Sequence, residues 1–303
     1  VFQNELYKVN DQTLYKVDNV GAQTSLGVID GTAMCVFADD GNTMRIATGS
    51  KDYLVTGGAL STLTDSDLNP GNTVTYINQQ MINDSAGTGQ FQVSDVGAPG
   101  SIDENNFATA ESAPDDTLAC YAFNERVFIF GETTIETWYN SGVDSPPFDR
   151  VQGGTMNVGL SSAYSIDSSS DFVYFLGHDR LVYRFSATQP QSVTPPAIAA
   201  AFEDFSVVSD ARGFIVNTEG QTFYVLNFPT EAKTFVYSET ATAWFELSTG
   251  ADEGNYVGTS YAECYGKKLI ASGGNVLALD GSVYTDNGVT VIRKRTTAPI
   301  TMP

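Results

Sequence analysis

Apolar and polar residues alternate along several short stretches of this chain, and the alternation is clearest between residues 121 and 140. The apolar positions there include Val127, Ile129 and Ile135, and the polar positions include Glu132, Thr134 and Glu136. A period of two places successive side chains on opposite faces of a strand. The pattern therefore predicts antiparallel strands, joined by a tight turn, with at least one face in a core.

The same strand–turn–strand pattern recurs along the chain. Clusters of Gly, Asn, Asp or Ser separate the apolar runs, as hairpins require. The six units occupy residues 6–18, 34–58, 121–140, 164–186, 213–247 and 261–280. A spacing of about 40 to 50 residues is typical of a β-propeller, in which neighbouring blades supply the apolar surface that each blade lacks. We therefore predict an all-β chain folded as a six-bladed β-propeller over residues 1–303, with a double β-sandwich as the alternative.

Two segments depart from this rhythm. Residues 63–116 are polar and rich in Gly, Asn, Asp and Ser, and loops beyond about 15 residues are uncommon in compact domains. We expect this segment to be an inserted arm between blades or part of an irregular blade. Residues 194–205 predict one short helix on the propeller rim, with Thr194 as the N-cap and prolines in the first turn. The helix packs on its own blade or on a neighbour.

Charge excludes some classes of function. The chain has 15 Lys and Arg against 36 Asp and Glu, and its net charge of −21 repels phosphate backbones and anionic membrane surfaces. A DNA-reading domain carries a basic footprint instead. The chain contains no run of about 18 apolar residues, so the sequence predicts no membrane-spanning helix. The chain begins with Val1 inside a strand-like run and without an initiator Met, so we expect a portion of a longer polypeptide.

The three cysteines, Cys35, Cys120 and Cys264, lie far apart in strand-like contexts. An odd number argues against a complete disulfide framework. Free cysteines commonly behave as small core residues, so we predict buried, reduced thiols. Reduced thiols agree with assembly in a reducing cytoplasm.

The chain has a single histidine, His178, next to Asp179. The pair invites a general-base role, but its place between two apolar runs is more typical of a hairpin turn. Residues 65–71 resemble the start of a calcium loop, yet Pro70 replaces the turn glycine and Tyr76 stands where a bidentate Glu is required. One histidine and scattered cysteines are too few for zinc. We predict no metal-binding and no cofactor-binding residues.

Paired carboxylates are the remaining candidates for catalysis. The pairs are Glu132 with Glu136, Asp115 with Asp116, and Glu203 with Asp204. A glycosidase requires two carboxyls that face each other across a cleft, and 36 acidic residues produce pairs by chance. We interpret Glu132, Glu136 and Asp149 as surface or interface charges. Phosphate-binding, dinucleotide-binding and G-x-S-x-G motifs are missing, so we predict no catalytic residues.

Two further features indicate structure rather than chemistry. Trp138 and Trp244 end strand-like runs, where aromatic residues fill blade cores. The basic run IRKRTT at 292–297 would place positive charges on both faces of a strand. This run therefore suits an exposed edge or an intersubunit contact better than nucleic acid.

One long run carries a family resemblance. Residues 107–166, followed by 175–202, contain FGETTIETWYNSG, the exit PPFDRVQGG, a GHDR hairpin before VYR, and the Pro-led helix. This run resembles the packaged-DNA stabilisation proteins of short-tailed bacteriophages, and weaker similarity extends over most of the chain. The shared motifs are structural, so the resemblance implies a virion protein of the tail without enzymatic activity.

The resemblance also implies partners. It predicts a homo-oligomeric ring, expected to be a hexamer, that lies beneath the portal and adaptor complex and closes the DNA channel after packaging. Double-stranded DNA would pass through the ring without sequence-specific binding, and acidic residues would line the lumen. Tail fibre or spike proteins and a plug or needle protein would dock on the ring. Assembly would take place in the host cytoplasm, without a membrane partner.

Two other classes of propeller stay open from the residues alone. One is a carbohydrate-binding or glycan-cleaving propeller of the lectin or sialidase type. Two observations argue against it. The chain lacks Asp boxes, and no arginine triad is evident among Arg126, Arg150, Arg180 and Arg212. The other is a secreted adhesion propeller, which the odd cysteine count and the absence of a signal segment disfavour.

Overall fold

A computed structural model describes residues 1–31, 34–142, 146–186, 189–250, 254–292 and 294. These residues form antiparallel sheets in which each strand pairs with the next strand along the chain. Seven of the sheets are blades of a β-propeller, and a two-stranded hairpin follows the last blade.

The first four blades have three, four, four and four strands. Their bounds are, for blade 1, β1 Leu6–Asn10, β2 Thr13–Val17 and β3 Gln23–Val28; for blade 2, β4 Val36–Asp39, β5 Thr43–Ala47, β6 Asp52–Thr56 and β7 Ala59–Thr62; for blade 3, β8 Val74–Ile77, β9 Gln80–Asp84, β10 Gln90–Asp95 and β11 Ala98–Thr109; and for blade 4, β12 Thr117–Phe123, β13 Arg126–Gly131, β14 Ile135–Asn140 and β15 Phe148–Arg150.

Blades 5, 6 and 7 have four, five and three strands. Their bounds are, for blade 5, β16 Asp167–Ser168, β17 Val173–Leu176, β18 Val182–Phe185 and β19 Gln191–Ser192; for blade 6, β20 Arg212–Thr218, β21 Gln221–Phe228, β22 Lys233–Ser238, β23 Ala243–Thr249 and β24 Gly254–Asn255; for blade 7, β25 Ser260–Cys264, β26 Lys267–Ser272 and β27 Asn275–Ala278; and for the final hairpin, β28 Thr285–Asp286 and β29 Val289–Thr290.

The first strand of each blade lies closest to the propeller axis. First strands of neighbouring blades contact one another: β4 with β8, β8 with β12, β16 with β20, and β20 with β25. The later strands of each meander therefore lie progressively farther from the axis, and the last strand forms the outer edge of its blade.

The predicted all-β propeller is confirmed, but the predicted number of six blades is wrong, because residues 63–116 contain all of blade 3. Several side chains buried in this blade are polar and hydrogen-bonded. Gln80 Nε2 donates to the Ser94 carbonyl at 2.8 Å, and Gln92 Nε2 donates to the Asp67 carbonyl at 2.6 Å. Polar residues at buried positions weaken the apolar alternation that marks a strand, so the segment resembles a loop in sequence. The pairing of β10 with β11 is irregular, with two register shifts.

The short helix α1 spans Pro196–Glu203, inside the predicted segment. Its N-cap is Pro195 rather than Thr194, and no side chain caps the helix. The Thr194 hydroxyl instead accepts a hydrogen bond from the Val182 amide of β18 at 2.7 Å. Phe202 is fully buried and packs with residues of both blade 5 and blade 6. No helix among the described residues is long and apolar enough to cross a membrane.

Seven apolar clusters lie between the blades in the described part of the chain, one at each interface, including that between blades 7 and 1. The largest, between blades 5 and 6, has eleven buried residues. The smallest comprises Ala47, Val74 and Met81 between blades 2 and 3, and the cluster between blades 7 and 1 has four buried residues, Leu6, Val17, Cys264 and Leu269. Because a blade cannot bury its faces alone, these clusters hold the blades in a closed ring.

A buried ion pair supplements the small cluster between blades 2 and 3. Arg45 Nε donates to Asp52 Oδ2 at 2.6 Å, and Arg45 Nη2 donates to Asn83 Oδ1 of blade 3 at 2.9 Å. All three residues have an exposed fraction of 0%. Burial raises the pKa of Asp52 and the Arg45 charge lowers it, with burial the larger effect. The Arg45 guanidinium therefore offsets part of the free-energy cost of burying the Asp52 carboxylate.

Replacing Arg45 should be far more damaging than replacing an exposed cation in the same blade. Arg45→Met leaves Asp52 buried without its cation, and we expect the free energy of unfolding to fall by about 3–5 kcal/mol. Lys51→Met breaks the exposed ion pair of Lys51 with Asp30, where about 0–1 kcal/mol is expected. Urea unfolding followed by tryptophan fluorescence measures both losses.

Adding Asp52→Leu to Arg45→Met removes the stranded carboxylate, so it should restore most of the stability. Equal losses in Arg45→Met and Lys51→Met, or no recovery in the double variant, would contradict the role given to the buried pair.

Candidate functional site

His178 lies in the turn between β17 and β18, as its sequence context predicts. Its backbone N–H donates to the Gly159 carbonyl at 3.0 Å, and its Nδ1 accepts from the Gly159 N–H at 3.0 Å. Asp179 accepts from the Tyr183 hydroxyl at 2.6 Å instead of contacting the imidazole. The two neighbouring side chains therefore fix different parts of the hairpin and do not form a general-base pair.

The interpretation of Glu136 as a surface or interface charge is wrong. Its exposed fraction is 1%, and its carboxylate accepts from the Ser112 N–H at 2.6 Å, from Trp138 Nε1 at 2.9 Å and from Arg150 Nη1 at 3.3 Å. Three donors, one of them cationic, compensate the burial of this carboxylate. Glu136 therefore fastens the outer strands of blade 4, whereas Glu132 and Asp149 are exposed as predicted.

The other carboxylate pairs do not form a facing pair either. Asp115 Oδ2 accepts from the Thr133 N–H at 2.7 Å and from the Thr133 hydroxyl at 2.9 Å, while its neighbour Asp116 is exposed. Glu203 and Asp204 are both exposed at the end of α1. None of the three pairs provides two carboxyls across a common cleft in the described structure.

Residues 65–71 are tied to blade 3 rather than arranged around an ion. Asp65 accepts from the Asp67 N–H at 2.9 Å and from the Ile102 N–H at 3.1 Å, and the Asn69 N–H donates to Gln92 Oε1 at 2.7 Å. Among the residues that the structure describes, no group of three or more His, Cys, Asp or Glu side chains could hold a metal ion.

The four arginines considered for a sialidase-type triad belong to different elements. Arg126 begins β13, Arg150 ends β15 and pairs with Glu136, and Arg212 begins β20. Arg180 caps the C-terminal end of α1, where its Nη1 donates to the carbonyls of Phe202, Glu203 and Phe205 at 3.1, 3.0 and 2.9 Å. A cation at this end of a helix satisfies carbonyls that have no partner within the helix. Arg180 thus explains the GHDR motif structurally.

Both tryptophans pack as predicted. Trp138 contacts Phe91 edge-on with ring centroids 5.0 Å apart, across the interface of blades 3 and 4. Trp244 Nε1 donates to the Val193 carbonyl at 2.7 Å, so blade 6 is tied to the segment that leads into α1. Of the basic run 292–297, only Ile292, which is exposed, and Lys294 lie within the described residues.

The cysteines are free thiols, as predicted. Cys120 and Cys264 are buried, whereas Cys35 is half-buried, so the prediction of burial holds for two of the three. Burial raises the pKa of Cys35 to about 11, and it raises the pKa of Cys120 as well. Both raised pKa values disfavour the thiolate form that a nucleophile or metal ligand requires.

Side-chain oxygens join the inner strands of neighbouring blades. The Thr73 hydroxyl accepts from the Cys120 N–H at 2.8 Å, and the Thr75 hydroxyl accepts from the Ala122 N–H at 3.1 Å. These two bonds connect blade 3 to the inner strand β12 of blade 4. Asp84 accepts from the Thr73 N–H and hydroxyl, both at 2.7 Å, and so orients the acceptor.

Asp167 makes a similar connection among three blades. It accepts from the Ile215 N–H of blade 6 at 2.6 Å, from the Ser168 N–H of its own blade at 2.8 Å and from the Tyr121 hydroxyl of blade 4 at 3.4 Å. Burial raises the pKa of Asp167 to about 6, and the hydrogen bonds oppose that shift. Burial likewise raises the pKa of Asp84 to about 6.

Blades 1 and 7 meet without sharing a strand. The hydroxyl of Tyr265, in the β25–β26 turn, lies 2.7 Å from Glu5 Oε2, 2.8 Å from the Val17 carbonyl and 3.3 Å from the Leu6 N–H. Lys267 Nζ also donates across this interface, to a backbone carbonyl of blade 1. We call this interface the seam, because side chains close the propeller there.

A cavity of about 780 Å³ adjoins the seam. We call it the axial cavity, because the first strands of several blades line it. Its walls come from β1, from the chain around β4, from blade 7 and from Arg212 at the start of β20. The lining mixes apolar side chains with polar ones. The sequence indicated neither this cavity nor the seam.

Comparisons with known proteins agree with the fold. Residues 1–282 match the family model described as Bacteriophage P22 Gp10, beta-propeller. No curated protein sequence is significantly similar to the chain.

Solved structures are similar at low identity. The β-propeller domain of Myceliophteria thermophila Cps50 (Swd1) shows 10% identity and a TM-score of 0.55, covering 91% of this chain and 93% of that one. The N-terminal domain of Nup159 shows 10% identity and a TM-score of 0.53, covering 91% and 86%. PorZ of Porphyromonas gingivalis shows 13% identity and a TM-score of 0.51, covering 94% of this chain but only 38% of PorZ. At these identities the likeness shows the propeller fold alone.

The two inner-strand carboxyls should make stability depend on pH. An unfolded Asp releases its proton near pH 3.9, whereas Asp84 and Asp167 hold theirs up to about pH 6 in the folded chain. The folded chain binds more protons between these values, so the contribution of these groups to the free energy of unfolding falls as pH rises from about 4 to 6.

Urea unfolding at several pH values tests this dependence. The difference in stability between the wild type and Asp84→Asn/Asp167→Asn should change over this window and stay constant above about pH 7. Subtracting the variant removes the contribution of the other carboxyls. A pH-independent difference would show that neither carboxyl has a raised pKa.

Loss of the Tyr265 hydroxyl should loosen the seam. Tyr265→Phe removes the acceptor of the Leu6 N–H and one of the donors to the Glu5 carboxylate, so we expect a loss of about 1–3 kcal/mol in stability. The matched control is Tyr284→Phe, at a residue that is 73% exposed. Hydrogen exchange should accelerate at the Leu6 amide in Tyr265→Phe, and unchanged exchange there would refute the role of the hydroxyl.

Proposed function

Because the chain belongs to the family of the bacteriophage P22 Gp10 β-propeller, a family of phage tail stabilisation proteins, we propose that it forms a ring that closes the DNA channel of the tail after packaging. In that position it retains the packaged genome and offers docking surfaces to other tail proteins. The role is structural, and its place is the virion.

The family match carries this proposal. It extends over residues 1–282 and so includes all seven blades, the last of which ends at Ala278. A match confined to one or two blades would support the fold without the family. The solved structures that resemble the chain belong to several different proteins, so they do not help to choose a function for this chain.

We expect the ring to contain six copies of the chain, as the family resemblance implies. The ring would lie beneath the portal and adaptor complex. Tail fibre or spike proteins and a plug or needle protein would dock on its outer and lower faces. Assembly would precede release of the virion, in the host cytoplasm. The free thiols agree with a reducing compartment.

Charge supports a channel through which DNA passes without binding. Residues 1–282 contain 35 acidic and 12 basic residues. Proteins that bind DNA gain affinity by replacing counterions with Lys and Arg, and a wall of carboxylates offers no such gain. Some of these carboxylates would line the lumen of the ring.

The packing between blades suits a part that bears load. Packaged DNA presses on whatever closes the channel, and a closing ring must not deform under that pressure. Apolar clusters lie between all neighbouring blades of the described structure, and hydrogen bonds from Thr73, Thr75 and Asp167 join the inner strands. Densely packed interfaces of this kind have low compressibility.

A phage that lacks the protein provides the test. We expect its heads to package DNA and then lose it, so the amount of nuclease-protected DNA per particle should fall strongly. Purified protein added before release of the DNA should restore protection, and imaging of restored particles should show a ring on the tail axis. Particles that retain their DNA without the protein, or that fail before packaging, would refute the proposal.

The acidic lumen has its own test once imaging has located the ring axis. Replacing lumen-facing Asp or Glu residues by Lys should slow DNA ejection, because the channel wall then binds the phosphate backbone. The matched control carries the same number of Lys replacements on the outer face. Ejection at the same rate in both variants would show that the charge of the lumen does not matter.

A further inference from the structure

The final hairpin stands apart from the packed blades. Among the described residues, β28 and β29 pair only with each other, and they turn at Asn287 and Gly288, which both have positive φ. Every residue from 281 to 292 except Asp286 is exposed. A two-stranded hairpin without further packing is marginally stable at best in water. A surface that covers this hairpin would therefore stabilise it.

The exposed side chains of the final hairpin are largely apolar. Five large apolar side chains are exposed within ten residues: Val283, Tyr284, Val289, Val291 and Ile292. Strand alternation places Val283 and Ile292 on the face opposite to Val289. Val289 lies beside Gly250, which follows β23 of blade 6. A concentration of exposed apolar side chains marks an interaction surface, and both faces of this hairpin contribute to it.

Blade 1 presents an outer edge that suits such a hairpin. It has three strands, and no described strand pairs with the outer side of β3. Residues 19–29 contain no charged side chain, and Val20 and Val28 are strongly exposed at the two ends of the strand. Edge strands are usually protected by charges, by proline or by being very short. The irregularity of β3 is one register shift against Leu14 and Tyr15, and residues 23–25 pair regularly with β2.

The outer strands of the other blades differ from β3. β11 and β15 carry charged residues, and β19 and β24 have two residues each. β7 and β27 are uncharged, but neither has an exposed large apolar side chain. Among the described outer strands, β3 therefore combines an uncharged edge with exposed apolar side chains.

Charge favours a second copy of the chain as the partner of the final hairpin. Residues 283–295 contain three basic residues and one acidic residue. Residues 18–30 contain Asp18 and Asp30, both exposed, and no basic residue, although Asp30 also pairs with Lys51. Residues 1–282 as a whole have 35 acidic and 12 basic residues. The surface of another copy therefore attracts the segment that contains the hairpin.

The two surfaces do not meet within one copy. The final hairpin lies against the end of β23 in blade 6, whereas β3 belongs to blade 1. Blade 7 separates these blades, since it shares one apolar cluster with blade 6 and another with blade 1. A contact between the hairpin and β3 in this structure therefore requires two chains.

We propose that the final hairpin of one copy docks on the outer edge of blade 1 of the next copy. The apolar side chains of the hairpin pack against Val20 and Val28, and its free strand edges offer backbone partners to β3. Because the two surfaces differ, the contact is heterologous, and repeating it around a rotation axis closes a ring. The inference rests on the proposed ring and names the surfaces that join its copies.

Photocross-linking locates the contact. A benzoylphenylalanine in place of Tyr284 in the full chain should yield, on irradiation of purified protein or of restored particles, a product of two chains. The cross-linked peptide of the second chain should contain residues from 18–30. The matched control carries the same group in place of Tyr139, an exposed tyrosine of β14, and should not label residues 18–30.

Two double variants test the surfaces separately by sedimentation velocity. Val283→Ser/Ile292→Ser removes apolar area from the hairpin, and Val20→Lys/Val28→Lys places charges on the edge of blade 1. Each should raise the dissociation constant of self-association at least about tenfold. The controls are Val96→Ser and Val96→Lys, at an exposed position in the turn between β10 and β11. All these positions are exposed, so urea unfolding should show intact propellers.

Several results would overturn the proposed contact. They are a cross-link from position 284 within one chain, a cross-link to another tail protein, the absence of any two-chain product, and unchanged self-association in both double variants. Restored particles separate this failure from failure of the ring role. A ring on the tail axis built from Val283→Ser/Ile292→Ser would refute the contact and leave the ring standing, whereas DNA retention without the protein refutes the ring role itself.

Discussion

Each blade of this propeller has an inner strand with a free edge, and the polar groups on that edge must find partners outside their own sheet. Backbone N–H groups that are buried without an acceptor are strongly destabilising. Here the acceptors are side-chain oxygens of a neighbouring blade: Thr73 and Thr75 for β12, and Asp167 for β20. The same hydrogen bonds that satisfy the edges also fix the rotation of one blade against the next, so the interblade clusters form in a set geometry.

Different interactions stabilise the seven interfaces between neighbouring blades. Between blades 5 and 6 apolar burial dominates. Between blades 2 and 3 the apolar cluster is small, and Arg45 reaches across with a dry hydrogen bond to Asn83. At the seam the cluster is also small, but the polar contacts around Tyr265 are partly exposed to water. A dry polar contact is far more sensitive to loss of one partner than a wet one, so the two small interfaces should fail for different reasons.

The sequence predicted those parts of the fold in which burial follows an apolar pattern. Val127, Ile129 and Ile135 alternate and lie in β13 and β14, where the prediction placed strands. Blade 3 and Glu136 escaped prediction for one reason, which is that buried polar side chains look like surface residues until their hydrogen-bond partners are known. Arg45 carried a usable signal, because it interrupts an otherwise apolar run that is followed by Asp52. Arg212 and Tyr265 carried none, since their environment depends on blades that are distant in sequence.

The seam also sets the order in which the chain can acquire its final form on the ribosome. Tyr265 bonds to Leu6 and Glu5 across separations of 259 and 260 residues, whereas most strand pairs join neighbours. Blades 1 to 6 can form and stack as they emerge, but one face of blade 1 stays uncovered until blade 7 has been synthesised. The entropic cost of bringing such distant ends together grows only slowly with length. The nascent chain therefore carries an exposed apolar surface on blade 1 until blade 7 folds against it.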